Sequence, residues 1–239
     1  MQKILFLFFI LAAKYSAAQK IDIIAGGNSK LSPYPKEKAS AFLHLKTDTS
    51  QLQFVATYQI TGTDSLATPG ELFLQLKKAA RKEGANFFKL IHFAYDHKNS
   101  PLLLINAYYG SDALLMANRA NYETNVIYIF SPEKTGSDTF SLKINNETKT
   151  FNTYTYLKFV LKDGEELKMS KGGFTGARAR LNYEKNKPPM YLMVFGNTRL
   201  GAGTLPRTGA IGMSFNTGQI SELTEDYGQF LAQILKPSI

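Results

Sequence analysis

Cysteine and tryptophan are both absent from the 239 residues, and only three residues are histidine. Without a thiol there is no disulfide, no thiolate nucleophile, no zinc finger and no cysteine-ligated cluster. With no tryptophan, aromatic packing falls to 17 Phe and 13 Tyr. Long apolar runs are equally scarce. After residue 19 no stretch approaches the roughly 20 residues needed to cross a hydrocarbon core, so no transmembrane segment is expected there. Carboxylates are in deficit, 19 against 28 Lys and Arg, for a formal charge of +9.

What is present is the composition of a folded chain, 44% hydrophobic and 20% charged. A disordered chain needs fewer apolar residues and more unbalanced charge. The length suits one large or two small domains. Met1–Gln19 (MQKILFLFFILAAKYSAAQ) reads as an address: Lys3, then apolar Ile4–Ala13, then small Ser16-Ala17-Ala18. That order is expected of a secretory signal peptide, which places the protein in the periplasm or outside the cell. Removal of Lys3 and Lys14 leaves 26 basic residues against 19 acidic ones, or +7. A basic exported chain is expected to meet an envelope protein or an anionic cell-wall or lipid ligand rather than nucleic acid. Lys77, Lys78, Arg81 and Lys82 are the one tight basic group, expected to be a solvated helix face.

The pattern predicts an α+β fold. Residues 20–120 form a small α/β domain in which a helix covers a sheet. Residues 121–239 form an antiparallel β-sandwich or partial barrel with a C-terminal helix. In the first region Gln53–Thr61 reads as a strand, and Thr68-Pro69-Gly70-Glu71 as a capped helix start. Leu72, Leu76, Ala79 and Ala80 make the apolar stripe, and Gly84 ends the helix. Asn86–Phe93 and Pro101–Tyr109 are strands, whereas Ser111–Ala120 permits a short helix. After Asn121 short strands recur, with Asn145-Asn146 and Asp163-Gly164 as hairpin turns. Thr224 begins a last helix, with Tyr227, Phe230, Leu231 and Ile234 on one side.

Leu76–Leu90 (LKKAARKEGANFFKL) resembles the helix–Gly-Ala-Asn–strand junction of small α/β domains in uncharacterised bacterial envelope proteins. Val126–Leu167 resembles a β-sandwich domain of exported bacterial proteins. Many of those relatives are lipoproteins, and this chain departs from them in lacking the anchoring cysteine. The resemblance implies location and fold; it brings no activity that transfers residue by residue.

The chemistry on offer is sparse. His92, Asp96 and His97 are the closest cluster of candidate metal ligands, with His44 as a fourth from elsewhere. A strand histidine beside a polar turn explains the same letters. Glu165 and Glu166 are adjacent, but strand neighbours point to opposite faces and cannot share a scissile bond. No nucleophile elbow, phosphate loop or two-histidine zinc helix occurs, and no cofactor is called for. The segment Gly196–Gly212 (GNTRLGAGTLPRTGAIG) carries Arg199 and Arg207 among glycines and threonines. It is expected to be either an anion-holding loop or a plain hairpin loop. Arg178 and Arg180, at period two, share a strand face and are expected either to extend a basic patch toward it or to be outer-face solubility residues. The expected function is non-enzymatic binding of an envelope partner or anionic ligand. The alternative is an envelope hydrolase or transferase that uses the 196–212 loop.

Overall fold

The computed structural model describes residues 20–27, 31–36, 38–62, 67–94, 101–131, 139–172, 176–204 and 211–238; at 196–204 and 211–218 it describes the backbone alone. Among these residues, three helices and fourteen strands make an α+β fold of three sheets.

The first sheet runs β1–β3–β5–β4–β2, from Ile21–Gly26 (β1), Ala41–Phe42 (β2), Gln53–Thr61 (β3), Phe87–Ala94 (β4) and Leu102–Tyr109 (β5). Helix α1 (Pro69–Lys82) joins β3 to β4 and starts as the sequence predicts. Thr68 accepts from the Glu71 N–H at 3.1 Å, and Glu71 accepts from the Thr68 N–H at 3.0 Å. Its apolar stripe (Leu72, Phe73, Leu76, Ala80) is fully buried. The Gly84-Ala85-Asn86 junction has a physical basis at each letter. Gly84 takes φ +91°, which costs glycine little. Ala85 is sealed in the core. Asn86, fully buried, donates to the Gly110 carbonyl at 2.8 Å and accepts from the Gly110 N–H at 2.9 Å. One amide thereby ties the helix exit to the end of β5 and leaves no buried polar group unpaired there. Helix α2 (Asp112–Ala120) follows, with Ser111 as its N-cap. It sits with Leu115 in a smaller cluster containing Ala41, Leu43, Leu52 and Phe87.

The second half builds two packed sheets. The outer sheet is β11–β10–β7–β8, from Thr139–Ile144 (β7), Glu147–Asn152 (β8), Glu166–Lys171 (β10) and Ala177–Asn182 (β11). The middle sheet is β13–β12–β6–β9–β14, from Val126–Phe130 (β6), Thr155–Val160 (β9), Met190–Thr204 (β12), Ile211–Glu222 (β13) and Lys236–Pro237 (β14). The β7–β8 turn has Asn145 at φ +46° and Asn146 at φ +71°, as a two-residue hairpin loop requires. The middle sheet differs from the expected antiparallel pattern: β6–β12 and β9–β14 run parallel. Hairpins enforce antiparallel pairing, but β12 and β14 reach their partners by long connections, so nothing fixes that direction.

Around β6 and the first residues of β12 the middle sheet is buried on both faces. Ile127, Ile129, Leu192 and Val194 meet Phe140, Leu142, Ile144, Phe151, Leu167 and Met169 of the outer sheet. Phe130, Tyr191 and Met193 enter the same cluster as Phe42, Tyr58, Phe73 and Phe88 of the first half. Between them lies α3 (Glu225–Ile234), which touches β2, β6, β12 and α1 and brings Phe230 and Leu231 into that cluster. The C-terminal helix is therefore the element shared by both halves.

Gly228 of α3 shows how close this packing is. A β-carbon there would lie 2.0 Å from Tyr191 Cγ. In a helix interior Gly→Ala is ordinarily worth about 1 kcal/mol of stabilisation. Here overpacking, about 1–3 kcal/mol, opposes it. Gly228→Ala is expected to lower stability in urea unfolding, and an increase would contradict the packing.

Candidate functional site

The outward face of the outer sheet follows from strand alternation. Leu167, Met169, Ala179 and Leu181 point to the sandwich core, so Lys168, Ser170, Arg178 and Arg180 point away from it. Leu142 and Ile144 likewise send Lys143 outward. Pairing then fixes the neighbours. Ser170 of β10 lies opposite Arg178 of β11 on one side and Lys143 of β7 on the other. Lys168 lies opposite Arg180. These groups, with Asn146 from the hairpin turn, line a concavity of about 500 Å³.

The two rows are electrostatically unequal. Glu166 accepts from Arg180 Nε at 2.6 Å and pairs with Lys168 Nζ at 3.0 Å, so the second row is internally balanced in part. Arg178 and Lys143 have no ion-pair partner among the described residues. They stand two strand spacings apart, roughly 10 Å, with the Ser170 hydroxyl between them. Long side chains bridge that span easily. A planar five-donor fork, a hydroxyl and an ammonium thus line one concavity in one cross-strand row, a donor set suited to an oxyanion. Lys171 belongs to the other face of β10, with Leu167 and Met169, and is already engaged. Its Nζ donates to the Ser141 carbonyl at 2.5 Å and lies 3.7 Å from the Phe140 ring centre, and burial lowers its pKa.

The other sequence candidates fall elsewhere. Gly196–Gly212 is not a loop over most of its length. Residues 196–204 and 211–212 belong to β12 and β13, paired from Gly196 opposite Gly218 to Thr204 opposite Ile211. Glycines read as loop punctuation here sit within a ladder whose two strands satisfy each other's backbone groups. Arg199 is in β12, opposite Asn216, after a shift in register. Arg207 lies outside the described residues. β13 runs against β11, the strand of Arg178 and Arg180. His92 is exposed on β4, while Asp96 and His97 lie outside the described residues. Among the described residues no three His, Asp or Glu side chains group as a metal site would. His44 is occupied: its Nδ1 accepts from the Lys46 N–H at 3.1 Å and its ring meets Tyr122 edge-on. Burial, then the Lys46 charge, lowers its pKa.

The basic group on α1 departs from the solvated face expected of it. Lys77 is 16% exposed and pairs at 2.5 Å with Asp226 of α3, itself 2% exposed. Arg81, 7% exposed, donates to Ser40 Oγ at 3.0 Å, to the Lys38 carbonyl at 2.9 Å and to the Pro35 carbonyl. Helical period alone shows which residues share a face; it does not show that α3 and residues 33–36 and 38–40 cover that face. Only Lys78 and Lys82 remain at the surface. The row of Arg178, Ser170 and Lys143 was only half visible beforehand. Arg178 and Arg180 follow from period two, but Lys143 and Ser170 need the strand order.

No helix among the described residues is long and apolar enough to cross a membrane. No protein-family model, curated protein or solved structure matches the chain.

Proposed function

We propose that the chain is an exported, non-enzymatic binding protein of the bacterial envelope that holds an anionic ligand on the outer face of its outer sheet. The observation that carries this reading is the cross-strand row Arg178–Ser170–Lys143, which has two unneutralised cations flanking a hydroxyl. The row supplies charge and hydrogen-bond donors. Among the described residues the carboxylate beside it, Glu166, is held by Arg180 and Lys168. Export is supported by the order of features in residues 1–19, and the ligand class by the surplus of basic residues. An anionic headgroup or a cell-wall polymer bearing phosphate offers the matching oxygens.

Binding of soluble polyphosphate by the purified protein, measured by calorimetry at low salt, tests the reading. Arg178→Ala and Lys143→Ala are each expected to weaken it about five- to tenfold, as loss of a charge-assisted contact does. Arg180→Ala is expected to weaken it less, because its guanidinium already faces Glu166. Equal, small effects at all three positions would instead mean diffuse charge attraction.

A further inference from the structure

A second concavity, of about 510 Å³, lies between residues 33–36 and the solvent side of α1. Its walls are fixed without any ligand. The Tyr34 N–H donates to the Arg81 carbonyl at 2.7 Å, and the Arg81 guanidinium lies 5.0 Å from the centre of the Tyr34 ring. The same guanidinium holds the carbonyls of Pro35 and Lys38. A cleft already built gives up little conformational freedom on binding. Within it Leu74 is 48% exposed, although Leu72, Phe73 and Leu76 on the same helix are fully buried. Among the described residues lining the cleft, the free charge around Leu74 has one sign. Lys36, Lys78 and Lys82 are exposed and have no ion-pair partner among the described residues, and no carboxylate among those residues lines the cleft.

We infer that this cleft binds an extended acidic peptide segment, with one apolar side chain on Leu74 and Tyr34 and flanking carboxylates toward Lys36, Lys78 and Lys82. The sign of the charge selects an acidic partner. The three ammonium groups come from both walls, Lys36 from one and Lys78 and Lys82 from the other, which matches several carboxylates spaced along a chain better than a single small anion. A concave cleft suits a chain segment; a bilayer surface is met by a flat or convex face. The inference is independent of the anion site on the outer sheet, because the two share no residue.

The test is fluorescence anisotropy of a labelled Glu-Glu-Leu-Glu-Glu peptide with the purified protein, beside a five-glutamate peptide and phosphatidylglycerol vesicles. The leucine peptide is expected to bind saturably and more tightly than five glutamates. Lys78→Glu combined with Lys82→Glu is expected to weaken it about tenfold. Leu74→Asp is expected to do the same, and Lys162→Ala, exposed and outside both concavities, to leave it unchanged. Lys36→Glu, on the other wall, gives a second variant should the helix changes disturb folding. Three results would overturn the inference: no saturable binding, binding indifferent to both walls, or loss of vesicle association in these variants without peptide binding.

Discussion

Asp226→Ala is expected to remove about 3–5 kcal/mol of stability, the range for breaking a buried ion pair by deleting one partner. The carboxylate is 2% exposed and is the hub of a closed network. Ser40 Oγ donates to it at 2.7 Å, Thr224 Oγ1 at 2.8 Å, the Tyr227 N–H at 2.9 Å, and Lys77 pairs with it at 2.5 Å. Removing it leaves an ammonium and two hydroxyls without their acceptor in a site with little access to water. Lys77 keeps 16% of its side chain exposed, which moves the expected loss toward the lower end of that range. The pairing of Lys77→Met with Asp226→Leu is expected to recover only part of the loss, because the Ser40 and Thr224 hydroxyls still lose their acceptor. Urea unfolding of these two variants beside the parent protein measures this. A loss below about 1 kcal/mol, the value of a surface pair, would mean that the network is solvated.

Phe230→Ala is expected to cost a similar amount, about 3–5 kcal/mol, by a different mechanism: lost transfer energy plus a cavity. The ring is fully buried, stacked on Phe73 at 4.6 Å and tilted against Phe42 at 5.5 Å, with Phe93 edge-on at 6.4 Å. Its cluster also contains Phe130, Tyr191 and Met193 of the middle sheet. The cavity therefore opens between the two halves of the chain, and both are expected to lose stability together in one transition. A variant that unfolds in two steps, with only the first half weakened, would show that α3 does not couple them.

The elements easiest to read from the sequence were those set by local chemistry. The Thr68–Glu71 cap, the Asn145-Asn146 turn and the Gly84 exit each depend on residues within four positions of one another. Period two likewise placed Arg178 and Arg180 on one face of a strand. What escaped depends on partners distant in sequence. The burial of Lys77 requires Asp226, 149 residues on. The pairing within 190–222 depends on two glycine-rich strands satisfying each other rather than on strong strand-forming residues. The anion row shows both sides of this. Arg178 was legible from its alternation, whereas Ser170 and Lys143 become its neighbours only through the order β11–β10–β7. Strand order arises from packing of whole sheets, which no local signal encodes.

Backbone amide shifts of the isotope-labelled protein, followed while inorganic phosphate is added, test the central claim most directly. The account predicts that the largest saturable changes fall at Lys143, Ser170 and Arg178, with smaller ones at Lys168 and Arg180, and that Arg178→Ala abolishes the pattern. Changes spread evenly over the basic surface, or centred away from the outer sheet, would contradict it.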